Sequence, residues 1–257
     1  MIPILVFDIE TIPDIAGLRR LWEVGEAVSD EAVFELAAQR RRQAAGSDFL
    51  QHHLHRVVAI SCALRDRDTV KVWSLGGTAD AERDLVKRFF DGIDKYTPQL
   101  VSWNGSGFDL PVLHYRALFH GITAPRYWDL GEDDREFKFN NYLSRFHTRH
   151  IDLMDILASY QNRAWAPLDD VAQLAGLPGK LGIGGAHVYA AWKRGEIEGI
   201  RNYCETDVAN TYLLFLRFQL MRGQLTPEGY EREIALFKAF LGEQPGAHWK
   251  EFAAAWK

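Results

Sequence analysis

Asp8 and Glu10 stand two residues apart at the end of an apolar run, Ile4-Leu5-Val6-Phe7-Asp8-Ile9-Glu10-Thr11. β-Branched and aromatic residues interrupted only by Asp8 predict a strand covered on both faces, hence a central strand of a layered α/β domain. Side chains alternate along a strand, so both carboxylates point to one face and Ile9 to the other. Two acids on one face repel each other unless a cation lies between them; a D-x-E alone also describes ordinary solvated strand-end acids. A further acid, Asp109, ends the stretch Asn104-Gly105-Ser106-Gly107-Phe108-Asp109 ahead of Leu110-Pro111. That stretch reads as a glycine-rich turn entering a helix, with glycines that permit a sharp bend or a close approach to a ligand. Tyr203 and Asp207 lie four residues apart on a long helix from about Ile197 into Leu220, and therefore on one face of it. An acid on a core-facing helix is costly to bury without a partner.

The elements that must position these residues follow from pattern. Val57 to Leu64 and Thr69 to Leu75 flank Arg65-Asp66-Arg67-Asp68 and predict an antiparallel hairpin. Thr78 is the expected cap of a helix whose Leu85, Val86, Phe89 and Ile93 form an apolar stripe. Leu100 to Trp103 predicts a short strand, and Ile151 to Leu157 a last strand turning into a helix. Short helices are expected over Pro167–Ala175 and Gly185–Arg194, stopped by Gly176 and Gly195. Between them, Gly179-Lys180-Leu181-Gly182-Ile183-Gly184-Gly185 resembles a phosphate loop only superficially. Walker spacing is absent, no Ser or Thr follows Lys180, and no strand precedes it.

Two stretches interrupt this plan. Asp14 to Gln51 carries a helix starting at Ser29 or Asp30 and the run Arg40-Arg41-Arg42, read as a solvated face open to a phosphate contact. His52, His53 and His55 follow without a Cys or acid at zinc-ligand spacing, which favours a loop or nucleic-acid face. Residues 125–150 interleave Tyr127, Trp128, Phe137, Phe139, Tyr142 and Phe146 with basic side chains. This composition suits single-stranded nucleic acid, and equally a loop packing its aromatics under itself. Trp249, Phe252 and Trp256 at helical spacing predict a tail helix docked on its own domain.

The 257 residues are 47% hydrophobic, enough for a sizeable core. A net charge of −5 argues against holding nucleic acid by overall positive charge, without excluding a local basic groove. Acids clustered around metal ions would account for part of the excess. Cys62 and Cys204 lack C-x-x-C spacing and are expected as buried free thiols in a reducing compartment. Without a basic n-region or a membrane-length apolar run, a cytoplasmic protein is the expectation.

Asp8-Ile9-Glu10, Asn104-(x)3-Phe108-Asp109 and Tyr203-Cys204-Glu205-Thr206-Asp207 resemble, in order and spacing, the three motifs of the tyrosine class of DEDD 3′-to-5′ exonucleases, in the ribonuclease H-like superfamily. The chain is most similar to the proofreading exonuclease domain of family B DNA polymerases, over roughly residues 1–220. With no palm or fingers following, it looks like a stand-alone exonuclease of the predicted type related to that domain. The resemblance implies an α/β fold with a mixed five-stranded sheet flanked by helices. It would form one domain over 1–257, with insertions at about 14–56 and 122–149 and a helical extension at about 221–257. It further implies that Asp8, Glu10, Asp109 and Asp207 bind two Mg2+ or Mn2+ ions, that Tyr203 orients the attacking water, and that Asn104 and Phe108 touch the 3′-terminal nucleotide. The expected activity is metal-dependent removal of nucleotides from single-stranded DNA 3′ ends. An RNA exonuclease on the same fold and a binding module that lost the chemistry are the alternatives. The histidine class of the same superfamily uses H-x-x-x-x-D as its third motif, a spacing that His147 and Asp152 also have.

Overall fold

A computed structural model of the protein describes residues 2–182 and 184–257. In chain order the elements are β1 (Ile4–Pro13), α1 (Ile15–Trp22), α2 (Asp30–Ala45), β2 (His55–Asp66), β3 (Thr69–Ser74), α3 (Glu82–Tyr96), β4 (Gln99–Ser102) and α4 (Asp109–His120). Then come α5 (Pro125–Trp128), β5 (His150–Asp152), α6 (Leu153–Leu157), α7 (Leu168–Leu174), α8 (Val188–Lys193), α9 (Ile197–Met221), α10 (Pro227–Glu243) and α11 (Ala247–Ala255). The five strands form one sheet in the order β3-β2-β1-β4-β5. β1 runs antiparallel to β2 and parallel to β4, so the sheet is mixed and the acid-bearing strand is its centre. This is the α/β architecture, with flanking helices, that the motifs imply.

Alternation along β1 divides the core. Val6 faces a cluster shared with α7, α9, α10 and α11, while Leu5, Phe7 and Ile9 face α3, α4 and the aromatic loop behind them. Asp8 and Glu10 share the parity of Val6, which directs them toward the helix that carries Tyr203 and Asp207. The tail helices join the first cluster through Phe237, Trp249 and Phe252, all buried, as the aromatic spacing predicts. Burying each such ring contributes about 1.5–3 kcal/mol, enough to hold α10 and α11 against α9. Among the described residues no helix is long and apolar enough to cross a membrane.

Several local expectations change. Thr78 does not cap α3: Gly76 takes a left-handed φ of +66°, Asp80 N–H closes a turn on Gly77 O, and the helix starts only at Glu82. β2 begins at His55, two residues before the expected strand start at Val57. Ser29, not Asp30, is the cap of α2, its hydroxyl accepting from Ala32 N–H. The three arginines are partly spent locally: Arg40 lies over Trp22, Arg42 pairs with Glu35, and Arg41 Nε donates to Phe49 O. In the 125–150 stretch, Tyr127, Phe137 and Tyr142 are buried, with Tyr127 and Tyr142 stacked at 5.5 Å. That part of the loop packs its aromatics under itself, while Phe139 and Phe146 stay exposed.

Candidate active site

β4 accompanies β1 only as far as the pairing of Val6 with Val101, and the chain leaves the sheet after Ser102. A wedge opens at the C-terminal ends of these parallel strands, the position where open α/β sheets place their ligands. Beyond the last β4 pair, Ile9 N–H is free, and Asp109 Oδ1 accepts it at 3.0 Å. Asp109 is the first residue of α4, where the helix dipole favours an acid. The turn that delivers it is tightly built. Asn104 adopts φ +64°, its O accepts from Gly107 and Phe108 N–H, and a Cβ at Gly107 would lie 2.3 Å from Asn104 Oδ1. Asp152 at the end of β5 clamps the same turn, accepting from Asn104 N–H and Ser106 N–H at 2.9 Å each.

α9 supplies the other wall. Asp8, Glu10 and Cys204 offer oxygen and sulfur atoms all within 4.8 Å of one another. The Cys204 thiol donates to Asp8 O at 3.4 Å and approaches Asp8 Oδ2 at 3.6 Å. One turn further, Asp207 is buried with Oδ2 2.9 Å from Lys180 Nζ, and Oδ1 has no hydrogen-bond partner. Lys180 Nζ also donates to the Tyr203 hydroxyl at 2.6 Å. Tyr203 and Asp207 therefore share one face of α9, as their spacing predicts, and a lysine bridges them.

The arrangement is electrostatically unbalanced. Burial, then the charge of Asp207, pushes Asp8 up to about 7. Burial and the charge of Asp8 raise Glu10 and Asp109 well above the carboxylate range. Asp207 is also raised by burial, with Lys180 offsetting only part of the effect. Burial works against the Lys180 ammonium, but Asp207 and Tyr203 more than compensate, so it stays charged. Burial and Asp207 together raise Tyr203, which keeps its proton. Four carboxylates thus meet one ammonium, an excess of negative charge that a cation would offset. The donor set fits a hard divalent ion: the oxygens are carboxylates, one of them orphaned, and the Cys204 thiol is held protonated by burial and the neighbouring acids.

Lys180 enters the site from the glycine-rich loop that resembles a phosphate loop only superficially. Its loop is fixed by α9: buried Asn210 accepts from Gly179 N–H at 3.2 Å and donates to Gly179 O at 2.7 Å. Asp169 Oδ1 accepts Lys180 N–H at 2.7 Å and would lie 2.6 Å from a Cβ at Gly179, which sits at φ +74°. A lone lysine between glycines is the signal in the sequence. Its partner 23 residues on is visible only in three dimensions. Cys204 is expected from sequence as a buried free thiol, which it is, and His55 only as part of a histidine trio. His55 Nε2 donates to Leu50 O, so Nδ1 accepts from the Thr11 hydroxyl at 2.9 Å, and burial depresses this histidine to about 4. The ring thereby orients Thr11, next to Glu10.

Asn104 and Phe108 flank this wedge in the turn before Asp109. The competing pair is used elsewhere: His147 Nδ1 accepts from Asn141 N–H inside the aromatic loop, and both Asp152 oxygens serve the 104–106 turn.

A family model described as a predicted 3′-5′ exonuclease related to the exonuclease domain of PolB matches residues 47–256. A DNA polymerase of Archaeoglobus fulgidus is 30% identical over 161 residues, which are 62% of this chain and 19% of the polymerase. A DNA polymerase of Pyrococcus glycovorans is 30% identical over 154 residues, 57% of this chain and 19% of that protein. The chain therefore spans about a fifth of the length of these relatives. The family B DNA polymerase of Pyrobaculum calidifontis has a similar fold, with a TM-score of 0.50 at 20% identity over 86% of this chain and 25% of that one.

Proposed function

Since the chain belongs to the family of predicted 3′-5′ exonucleases related to the exonuclease domain of PolB, we propose that it removes nucleotides from the 3′ ends of single-stranded DNA with two divalent cations, Mg2+ or Mn2+. The observation that carries this reading is the gathering of Asp8, Glu10, Asp109 and Asp207 from three distant segments around an orphaned Asp207 oxygen, with Lys180 as the nearest counter-charge. These four acids would hold the ions. When bound, such ions supply the positive charge that makes a water nucleophilic and stabilises a leaving 3′-oxygen.

The chain's own groups divide the remaining work. Tyr203 keeps its proton at neutral pH, so its hydroxyl positions a water by hydrogen bonding and does not act as a base. Lys180 donates to the tyrosine oxygen, which leaves the O–H of Tyr203 free to point away from Lys180. Lys180 also holds Asp207 in place, and with 38% of its side chain exposed it is accessible to an incoming phosphate. Asn104 and Phe108, in the turn before Asp109, would touch the terminal nucleotide, as the resemblance implies. The names of the relatives favour DNA. A single strand is favoured because the terminal nucleotide must be unpaired to reach buried acids, which costs a duplex a few kcal/mol.

The test is a 5′-labelled single strand incubated with Mg2+, Mn2+ or chelator, beside the RNA of the same sequence and a blunt duplex. A metal-dependent ladder shortening from the 3′ end, strongest on single-stranded DNA, is expected. Binding without product would sink the reading, and faster decay of RNA would transfer it to RNA.

A further inference from the structure

Phe108 begins a set of rings that the acid cluster itself does not use, in two contacting groups linked through the consecutive residues His52 and His53. Phe49 lies 5.4 Å from Phe108 between ring centroids, and His52 lies 5.8 Å from it. The neighbouring His53 meets Tyr115 edge-on at 5.7 Å, and Tyr115 continues to Phe119 at 6.3 Å. Tyr115 and Phe119 stand one turn apart on α4, the helix that begins with Asp109. Large rings normally retreat from water, yet Phe49 is 55% exposed, Tyr115 42% and Phe119 53%. They are not loosely held. His52 Nε2 donates to Gly107 O at 2.8 Å, which locks the 52–54 turn onto the 104–108 turn. Arg41 Nε donates to Phe49 O at 3.0 Å, and this guanidinium pairs with no acid among the described residues. Exposed rings on a rigid support, with a guanidinium beside them that no acid neutralises, are the composition of a single-strand path, where bases stack on rings and cations meet phosphates.

We propose that Phe49, Tyr115 and Phe119, with His52 and His53 between them, form a stacking track for the bases of the unpaired strand leading away from the acid cluster, with Arg41 meeting its phosphodiester backbone. The proposal rests on the nuclease reading only for the direction of the strand; the rings and their exposure stand independently. It gives a role to the stretch between β1 and β2, since Arg41, Phe49, His52 and His53 come from it. Because a ring stacks on any base, the track is tolerant of sequence.

Affinity for a fluorescent single-stranded octanucleotide, measured by anisotropy in chelator, tests the track without turnover. Phe49→Ala and the double variant Tyr115→Ala/Phe119→Ala should each weaken binding about five- to thirtyfold, within the range of one to a few lost stacks. The loss should shrink on a dinucleotide. An octanucleotide with abasic residues behind its 3′ end should bind wild type as weakly as the intact strand binds the double variant, with little further loss when both changes are combined. Phe49→Trp and Tyr115→Phe should stay near wild type, which separates stacking from a fold defect. If the alanine variants bind the intact strand as wild type does, or if abasic and intact strands bind wild type alike, the track is wrong. Gel filtration showing that the alanine changes only dissociate self-associated protein would assign the rings to a protein contact. The nuclease reading fails separately: ring-dependent binding with no Mn2+-dependent cleavage refutes that reading and leaves the track, whereas cleavage with ring-independent binding does the reverse.

Discussion

The chain buries carboxylates in two clusters that solve the same electrostatic problem in opposite ways. At the first, Arg116 donates to Asp14 Oδ2 at 2.6 Å and to Glu82 Oε2. The other Glu82 oxygen accepts Val57 N–H at 2.7 Å, His120 adds a 2.9 Å contact, and the other Asp14 oxygen caps α1 through Gly17 N–H. All four carboxylate oxygens have partners, and the knot ties α4 to the start of α3, to β2 and to the end of β1. At the second cluster four acids share one lysine, and an oxygen of Asp207 has no partner. Burial of acids is therefore not the mark of a site in this protein; burial without compensation is. The paired cluster holds the architecture, and the unpaired one stores repulsion that a divalent cation would relieve.

Removing a charge from each cluster should give opposite results. Asp8→Asn or Asp207→Asn is expected to bring nuclease turnover to background in the oligonucleotide assay, and Asp8→Asn, whose carboxylate has no lysine or arginine partner of its own among the described residues, to raise the melting temperature in chelator because a repelling charge is gone. Arg116→Met should do the reverse, lowering unfolding free energy by about 3–5 kcal/mol in urea titrations while the folded fraction keeps its specific activity to within a few-fold. An Asp8→Asn variant that is both inactive and less stable would place the acids of the second cluster among the structural ones.

Cation binding sharpens the contrast further. With ion at about a hundred times its dissociation constant, Mn2+ should stabilise the wild type by about 2.7 kcal/mol, or about 5–10 °C in a thermal melt, and should do little for Asp8→Asn. The pH dependence has a definite sign. Asp8 is raised from 3.8 to about 7, so folding favours its protonated form. In chelator this contribution is present at low pH and is lost as pH rises from about 4 through about 7. The stabilisation by Mn2+ should accordingly be larger at pH 8 than at pH 6. An equal increment at both would argue that the ion does not replace the missing counter-charge.

Within the second cluster the expected losses are graded. Tyr203→Phe removes an orienting hydroxyl and should slow turnover roughly ten- to a hundredfold, far less than loss of an acid. His147→Ala should change the rate by no more than a few-fold, since that histidine is engaged by Asn141 in the aromatic loop. Circular dichroism on both variants checks folding. A folded, inactive His147→Ala beside a healthy Tyr203→Phe would move the third motif to the histidine.

What was legible in the sequence is what depends on local periodicity. The alternation of Ile4 to Thr11 put Asp8 and Glu10 on one face, and the four-residue spacing put Tyr203 and Asp207 on another. The order of three motifs indicated the sheet that joins them. Contacts that close long loops were not legible. Nothing near Lys180 announces Tyr203, nothing near Asp152 announces two amides at 104 and 106, and Glu82 gives no sign that it will meet Arg116. Thr78 failed for a different reason: a turn fixed by Gly76 intervened between a good capping residue and the helix. Glycine spacing suggests a phosphate cradle at 179–185 that the Walker pattern excludes, and Gly179 instead seats the lysine against α9 through Asn210.

Cys204 reaching across to the Asp8 carbonyl joins residues 196 positions apart, and this separation has a consequence for the life of the chain. At a synthesis rate of about 5–20 residues per second, Asp207 emerges roughly 10–40 seconds after Asp8. Throughout that interval the growing chain holds the strand acids and then the α4 acid, but no Tyr203, Asp207 or seated Lys180. Local helices can form early, whereas contacts of such high sequence separation form late. A growing polypeptide is thus without a complete set of these acids until α9 docks, and on the nuclease reading any capacity to cut would be coupled to the completion of folding.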